Sequence, residues 1–445
     1  MSTSARSFPA GLSLRANFSW TFVGNVIYAM CQWGMLVVLA KLGSPEMVGQ
    51  FALGLAITVP IMSFATLKTR LVQATDARRE YLFGDYFGLR LITTALALLV
   101  IVGVVLVSSY RWETALVILA VGVAKAFESI SDVFYGLLQQ RERMDRVSKS
   151  KMIRGLLSLL ALSAGVYLTG SVFWGVVGLA VAWALALAIY DIRSGALMLT
   201  PMPQAGEPVL DENDRKVVLR PHWNVRTLAK LAWLALPLGI VVTLDSLRTN
   251  IPRYFIGGHL GEYQLGIFAP MAYLKQVGNM VVIALGLSVC PRLAKHYAAR
   301  KRPAFRKLLL KLVGISVLIG GAGVVVALVA GREILTLLYR PEYAEHRNVF
   351  VMLMVAAGID YVATSLDYGM TAARYFRVQM PLFAAVTSST ALACLWLIPS
   401  NGLHGAAMAV VIATAVRLAG SIAIVVYALR ALHRPTTEDE HYSQS

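Results

Sequence analysis

Apolar residues arrive along this chain in long blocks, and charged residues gather in the gaps between them. Crossing roughly 30 Å of hydrocarbon takes about 20 helical residues, and twelve blocks approach or exceed that length. In the first half they run over 18–39, 49–67, 89–107, 115–138, 153–168 and 173–192. In the second half they run over 228–255, 265–287, 308–330, 349–371, 380–398 and 402–429. Strict alternation, the mark of a membrane β-barrel, is absent. The pattern predicts an all-α integral membrane protein of about twelve transmembrane helices.

The blocks also repeat. Leu42-Gly43 leads into Gly49-x-Phe51-Ala52, and Leu260-Gly261 leads into Gly266-x-Phe268-Ala269. Tyr135-Gly136 with Arg141 recurs as Tyr368-Gly369 with Arg374. Gly175-x-x-Gly178-x-Ala180-x-Ala182 recurs as Gly402-x-x-Gly405-x-Ala407-x-Ala409. Echoes in the same order argue that the second half copies the first. An even number of spans per half points both halves the same way, so two pseudo-symmetric six-helix bundles are expected. The expected organisation is an N-terminal lobe over 1–193, a cytoplasmic linker over 194–226, a C-terminal lobe over 227–432 and a disordered cytoplasmic tail over 433–445. The linker carries Pro201, Pro203, Pro208 and the charged run Asp211 to Lys216.

Composition agrees with a membrane protein. The chain is 57% hydrophobic and 15% charged, with mean hydropathy +0.65, a balance no soluble domain tolerates. A net charge of +17 would suggest nucleic acid in a soluble protein. Here the cations crowd alternate gaps, 68–79, 141–151 and 292–311, while Gly43-Ser44-Pro45 and Thr169-Gly170 carry none. That positive-inside asymmetry explains the charge without nucleic acid and places both termini in the cytoplasm; the gap 331–347, with Arg332, Arg340 and Arg347, is the exception. No cleavable signal peptide is expected at the start. Cys31, Cys290 and Cys394 lie in apolar blocks and are expected as buried, unpaired thiols.

Charges at bilayer depth cost about 2.5–3.5 kcal/mol each on insertion scales, so those retained need a reason. The fourth block carries Lys125, Glu128 and Asp132 on one helix face. Its repeat partner, the tenth, carries Asp360, Thr364, Asp367, Thr371 and Arg374 on one face. The seventh carries Asp245 and Arg248, then Pro252 and Arg253. Lys275 lies in the eighth and Arg417 in the twelfth, neither with an acid within a helical turn. Lys125 with Glu128, and Asp245 with Arg248, are either intrahelical ion pairs or the lining of a polar cavity. Lys275 and Arg417 are either ligand contacts or partners of an acid on another helix, such as Asp360. Pro60, Pro237, Pro252 and Pro270 are expected to kink their helices.

No catalytic chemistry is visible. There is no phosphate-cradling glycine loop, and the histidines show no ligand spacing, so no cofactor or metal is expected.

Together, the two six-helix halves, the Leu-Gly…Gly-x-Phe-Ala step and the Tyr-Gly…Arg end resemble the MOP superfamily. Within it the chain resembles the polysaccharide transporters, the Wzx-type flippases of lipid-linked oligosaccharides, from about Ala16 to Leu429. The resemblance implies a V-shaped pair of bundles, as in the MATE transporters, working by alternating access. It implies a bacterial cytoplasmic membrane location. It implies transfer of an undecaprenyl-pyrophosphate-linked oligosaccharide to the outer leaflet for exopolysaccharide or O-antigen synthesis. A cationic cavity would receive the diphosphate, with Lys125, Arg248, Arg253, Lys275 and Arg417 as its candidates. Glu128, Asp132, Asp245, Asp360 and Asp367 are the candidates for ion coupling. The implied partners are the anionic lipid-linked glycan, membrane lipids, a polysaccharide polymerase and glycosyltransferases. The chain departs from some flippases in having no basic residue between Arg15 and Lys41, or in the second block before Lys68. That departure shifts the expected phosphate contacts to the second half. A Na⁺- or H⁺-coupled multidrug exporter of the same superfamily is the alternative, and a membrane glycosyltransferase a third reading.

Overall fold

The computed structural model describes residues 12–76, 80–199, 219–373 and 375–431. The prolines and charged run of the linker, Arg374 and the tail over 433–445 lie outside them. Ser13 starts the first helix by accepting a hydrogen bond from the Ala16 amide at 3.3 Å. That helix, α1, spans Leu14–Leu42. Ser44 caps the next, α2 (Pro45–Thr66), with Pro45 in its first turn. Leu67 and Lys68 take left-handed backbone, and a short helix follows over Thr69–Thr75. Then come α3 (Phe83–Val107), α4 (Trp112–Gln140), α5 (Met144–Thr169) and α6 (Val172–Leu199). The second half begins with α7 (Val225–His259), α8 (Gly261–Ala298), α9 (Arg302–Leu338) and α10 (Arg347–Ala372).

The last helical stretch, Phe376–Ala431, has 56 residues. As one rod it would reach about 84 Å, far more than a bilayer. It is two spans. Gly402 leaves helical geometry at φ 55°, and a Cβ on Gly405 would fall 1.9 Å from the Leu397 carbonyl oxygen. Near the far ends, Tyr375 and Tyr427 meet edge to face with centroids 6.0 Å apart. The chain therefore folds back as a hairpin of α11 (376–401) and α12 (403–431), and the described residues form twelve crossings. The helices run on through Pro60 and Pro270. Inside α9 the backbone leaves helical geometry at Ala330, where there is no proline.

Packing divides the chain into two units, one ending at Ser246 and the other beginning at Leu247, so the division falls inside α7. In the first unit α4 is the inner helix, packed on α2, α3 and α6, while α1 lies along α5. In the second unit α10 holds that place, packed on α8, α9 and the α11–α12 hairpin. Both are the charge-bearing repeat partners, and their position lets polar side chains avoid lipid. Apolar side chains such as Leu99 and Leu106 on α3, Leu318 and Val329 on α9, and Trp396 on α11 face outward, as bilayer contact requires.

The opening echo is buried in both copies: Gly49, Phe51 and Ala52 on α2, and Gly266, Phe268 and Ala269 on α8. Cys31 and Cys394 are buried thiols, and Cys290 is half-buried; none forms a disulfide.

Candidate functional site

Each unit holds its own cluster of charges. In the first, Lys125 and Glu128 sit three residues apart on α4 and meet at 2.7 Å. The Glu128 carboxylate also accepts from the Tyr28 hydroxyl of α1 at 3.1 Å and lies 3.9 Å from Arg154 of α5. Arg154 is 2% exposed and reaches Asp191 of α6, which is 0% exposed, at 3.3 Å. The guanidinium also donates to the Tyr135 hydroxyl at 2.7 Å, and Ser150 donates to Asp191 at 2.5 Å. Arg154 and Lys125 both lie over the Trp183 ring, at 5.5 and 5.1 Å.

A second group in the same unit centres on Asp132. This carboxylate does not join the Lys125–Glu128 pair one turn away. It bridges Arg70 at 3.3 Å and the buried Arg90 at 3.4 Å. Thr69 and Ser129 accept further hydrogen bonds from Arg90. The left-handed Leu67 and Lys68 bring this segment against α4, so closely that a Cβ on Gly136 would meet Gln73 at 2.1 Å. Lys151 of α5 completes the set. Its ammonium donates to Asn25 of α1 at 2.8 Å and lies within the field of Arg70, Asp132, Glu128 and Arg154.

The second unit has one tight cluster. Arg417 of α12 pairs with Asp360 and Asp367, two turns apart on α10 in the charged stripe read from the sequence. Ser421 donates to Asp367 at 2.9 Å, and Arg248 of α7 reaches Asp360 at 3.4 Å. Lys275 is half-buried on α8, in the field of Asp360, and its carbonyl accepts from the Tyr361 hydroxyl at 2.5 Å. Arg253 donates to Asn250 at 3.1 Å. Asp245 stands on α7 three residues before Arg248, on the first unit's side of the division.

These placements resolve several alternatives. Lys125 with Glu128 is an intrahelical pair that is also wired to α1 and α5. Arg417 is buried and bound by acids of another helix. The first unit is not poor in cations, although its first two apolar blocks are: Arg70, Arg90, Lys125, Lys151 and Arg154 converge there. Arg90, Arg154 and Asp191 were missed because each lies near the end of an apolar block. The helices begin or end beyond those blocks, at Phe83, Met144 and Leu199, which carries these residues into the packed interior. The capping contact of Asp85 at the start of α3, 2.8 Å from the Leu82 amide, was the available signal for the earlier start. Among the described residues no group of three or more His, Cys, Asp or Glu has metal-binding geometry.

A family model described as polysaccharide biosynthesis protein matches residues 14–297. The capsular polysaccharide biosynthesis protein CapF of Staphylococcus aureus is 28% identical over 408 residues, covering 90% of this chain and 96% of that protein. Among solved structures, an inward-facing multidrug resistance MATE family transporter of the MOP superfamily matches with TM-score 0.62 at 14% identity, over 96% of this chain and 97% of that one. The lipid II flippase MurJ, in an inward closed conformation, matches with TM-score 0.66 at 10% identity, over 94% of this chain and 92% of that one. At such identities the structural likenesses concern the fold.

Proposed function

Because the chain belongs to the polysaccharide biosynthesis protein family, we propose that it is a transporter that flips a lipid-linked oligosaccharide across the bacterial cytoplasmic membrane. The substrate would be an undecaprenyl-pyrophosphate glycan, moved from the cytoplasmic to the outer leaflet by alternating access of the two halves, with both termini cytoplasmic. One observation carries the reading. In the first unit five cations, Arg70, Arg90, Lys125, Lys151 and Arg154, converge on three acids, Glu128, Asp132 and Asp191, so positive charge is in excess. Residual positive charge at membrane depth suits a diphosphate headgroup. A carrier of cationic drugs would need the opposite balance.

The partly exposed lysines, not the buried arginines, are therefore the residues to test. Detergent-purified protein is titrated with undecaprenyl-pyrophosphate oligosaccharide, wild type beside Lys151→Ala and Lys275→Ala. Binding should weaken several-fold in each variant and with added salt. Absence of binding, with a cationic dye bound instead and lost in Asp360→Asn, would replace the flippase with the exporter.

A further inference from the structure

The α8–α9 hairpin carries a charge arrangement that the transport reading leaves unused. No Asp or Glu occurs between Glu262 and Glu333. Within that stretch Arg292, Lys295, Lys301, Arg306, Lys307 and Lys311 are all exposed. The turn between them is closed by its own backbone and packing. Arg300 takes left-handed backbone at φ 52°, and the Lys301 amide closes onto the His296 carbonyl at 2.9 Å. Tyr297 and Phe305 stack edge to face at 5.6 Å. Leu293, Phe305 and Leu309 are buried with Met370 and Val425 in one core. The cations thus project from two fixed helix ends. On α9 alone they extend from Arg302 to Lys311, about 14 Å of helix, enough to cross the headgroup layer on one side of a bilayer.

A topology signal does not require this. The corresponding segment of the first repeat, from the end of α2 into α3, satisfies the same charge rule with Lys68 exposed but Arg70 and Arg90 turned inward. There Arg70 and Arg90 are held by Asp132, and Asp76, Glu80 and Asp85 lie in the same segment. The second repeat displays its cations outward with no acid among them.

We propose that the α8–α9 hairpin is a docking surface for anionic phospholipid headgroups of the leaflet it faces. The lipid phosphates supply the counter-charge that the hairpin's own sequence lacks, and the ordered helix ends hold them at the edge of the second unit. The proposal is independent of which substrate the protein carries.

The test uses the full chain in detergent, with thermal unfolding followed as phosphatidylglycerol or phosphatidylcholine is added. Phosphatidylglycerol should raise the unfolding temperature and phosphatidylcholine should not. The variant Lys295→Gln/Arg306→Gln/Lys307→Gln/Lys311→Gln keeps the cations nearest the turn. It should lose about tenfold or more in phosphatidylglycerol affinity while unfolding like wild type in phosphatidylcholine. The charge-preserving Lys295→Arg/Lys307→Arg/Lys311→Arg should respond like wild type. Should the glutamine variant not fold, salt decides: about 0.5 M NaCl should abolish the wild-type preference. Equal responses to the two lipids, or a preference that survives both the glutamine changes and salt, would overturn the proposal. So would a preference that appears only when the chain is ended at Ala431, since the acidic run Glu438 to Glu440 would then be the hairpin's occupant.

Discussion

In the first unit an acid on the last helix meets a cation on a neighbour: Asp191 of α6 with Arg154 of α5. In the second unit a cation on the last helix meets acids on a neighbour: Arg417 of α12 with Asp360 and Asp367 of α10. The register of the Gly175 and Gly402 echo sets Asp191 opposite Leu418, beside Arg417. A π-helical turn over Ala186–Asp191 takes up extra residue in α6 and rotates Asp191 inward. Duplication has kept the helices, while the last helix of each unit carries a buried charge of opposite sign. A helix packing site is shared by many side chains and resists change, whereas a buried charge requires only a local partner of opposite sign. Either polarity satisfies that requirement.

The comparison can be broken most forcefully at Arg417. Arg417→Leu leaves the Asp367 carboxylate without its cation and Asp360 with Arg248 alone, and should cost about 3–5 kcal/mol, read as early unfolding and loss of monodisperse protein in detergent. Adding Asp360→Asn and Asp367→Asn should restore most of the loss. If Arg417→Leu alone unfolds like wild type, the cluster does not hold the second unit together.

Asp191→Asn should cost less, about 1–3 kcal/mol, because Arg154 keeps Tyr135 and the Glu128 carboxylate. A loss equal to that of Arg417→Leu would mean that the two units depend on their charges alike.

The paired glycines sharpen the contrast further. At Gly175 a Cβ would meet Val166 at 2.8 Å and the Leu162 carbonyl at 3.1 Å, while at Gly402 it meets nothing within 4 Å. Gly402 is kept for its positive φ, Gly175 for close helix approach. Gly175→Ala should therefore destabilise by about 1–3 kcal/mol and Gly402→Ala by about 1 kcal/mol. Thermal unfolding that ranks them the other way would contradict these separate roles.

The smallest effect is expected at His346, between α9 and α10 in the second unit only. Burial lowers its pKa; Glu345 opposes the shift and His404 adds to it. The folded state then favours the neutral ring. Its contribution is complete above the unfolded pKa and is lost as pH falls from about 6.5 toward the folded value. Unfolding temperature should fall slightly over that window, and His346→Gln should flatten the dependence.

Much of the fold was legible in the sequence. Apolar block length found the crossings, including the two hidden in a continuous helical stretch, because Gly402 marks both a repeat position and a turn. The charged stripes of α4 and α10 were legible as faces. Their partners were not. Glu128 and Asp132 look like members of one stripe, yet one joins Lys125 and Tyr28 and the other Arg70 and Arg90. Arg417 was named as a cation with no acid in its own turn, and its acids stand 57 and 50 residues earlier in the chain.

By itself the sequence determined that this is a membrane protein of duplicated helical halves. Hydrocarbon thickness sets block length, and the backbone's need for internal hydrogen bonds in lipid leaves only helices or closed barrels. Those constraints act locally and can be read one block at a time. Only the tertiary structure decided which charges meet which. Ion pairing at membrane depth depends on separations of a few ångströms between helices distant in sequence, and the low dielectric there makes each such separation decisive.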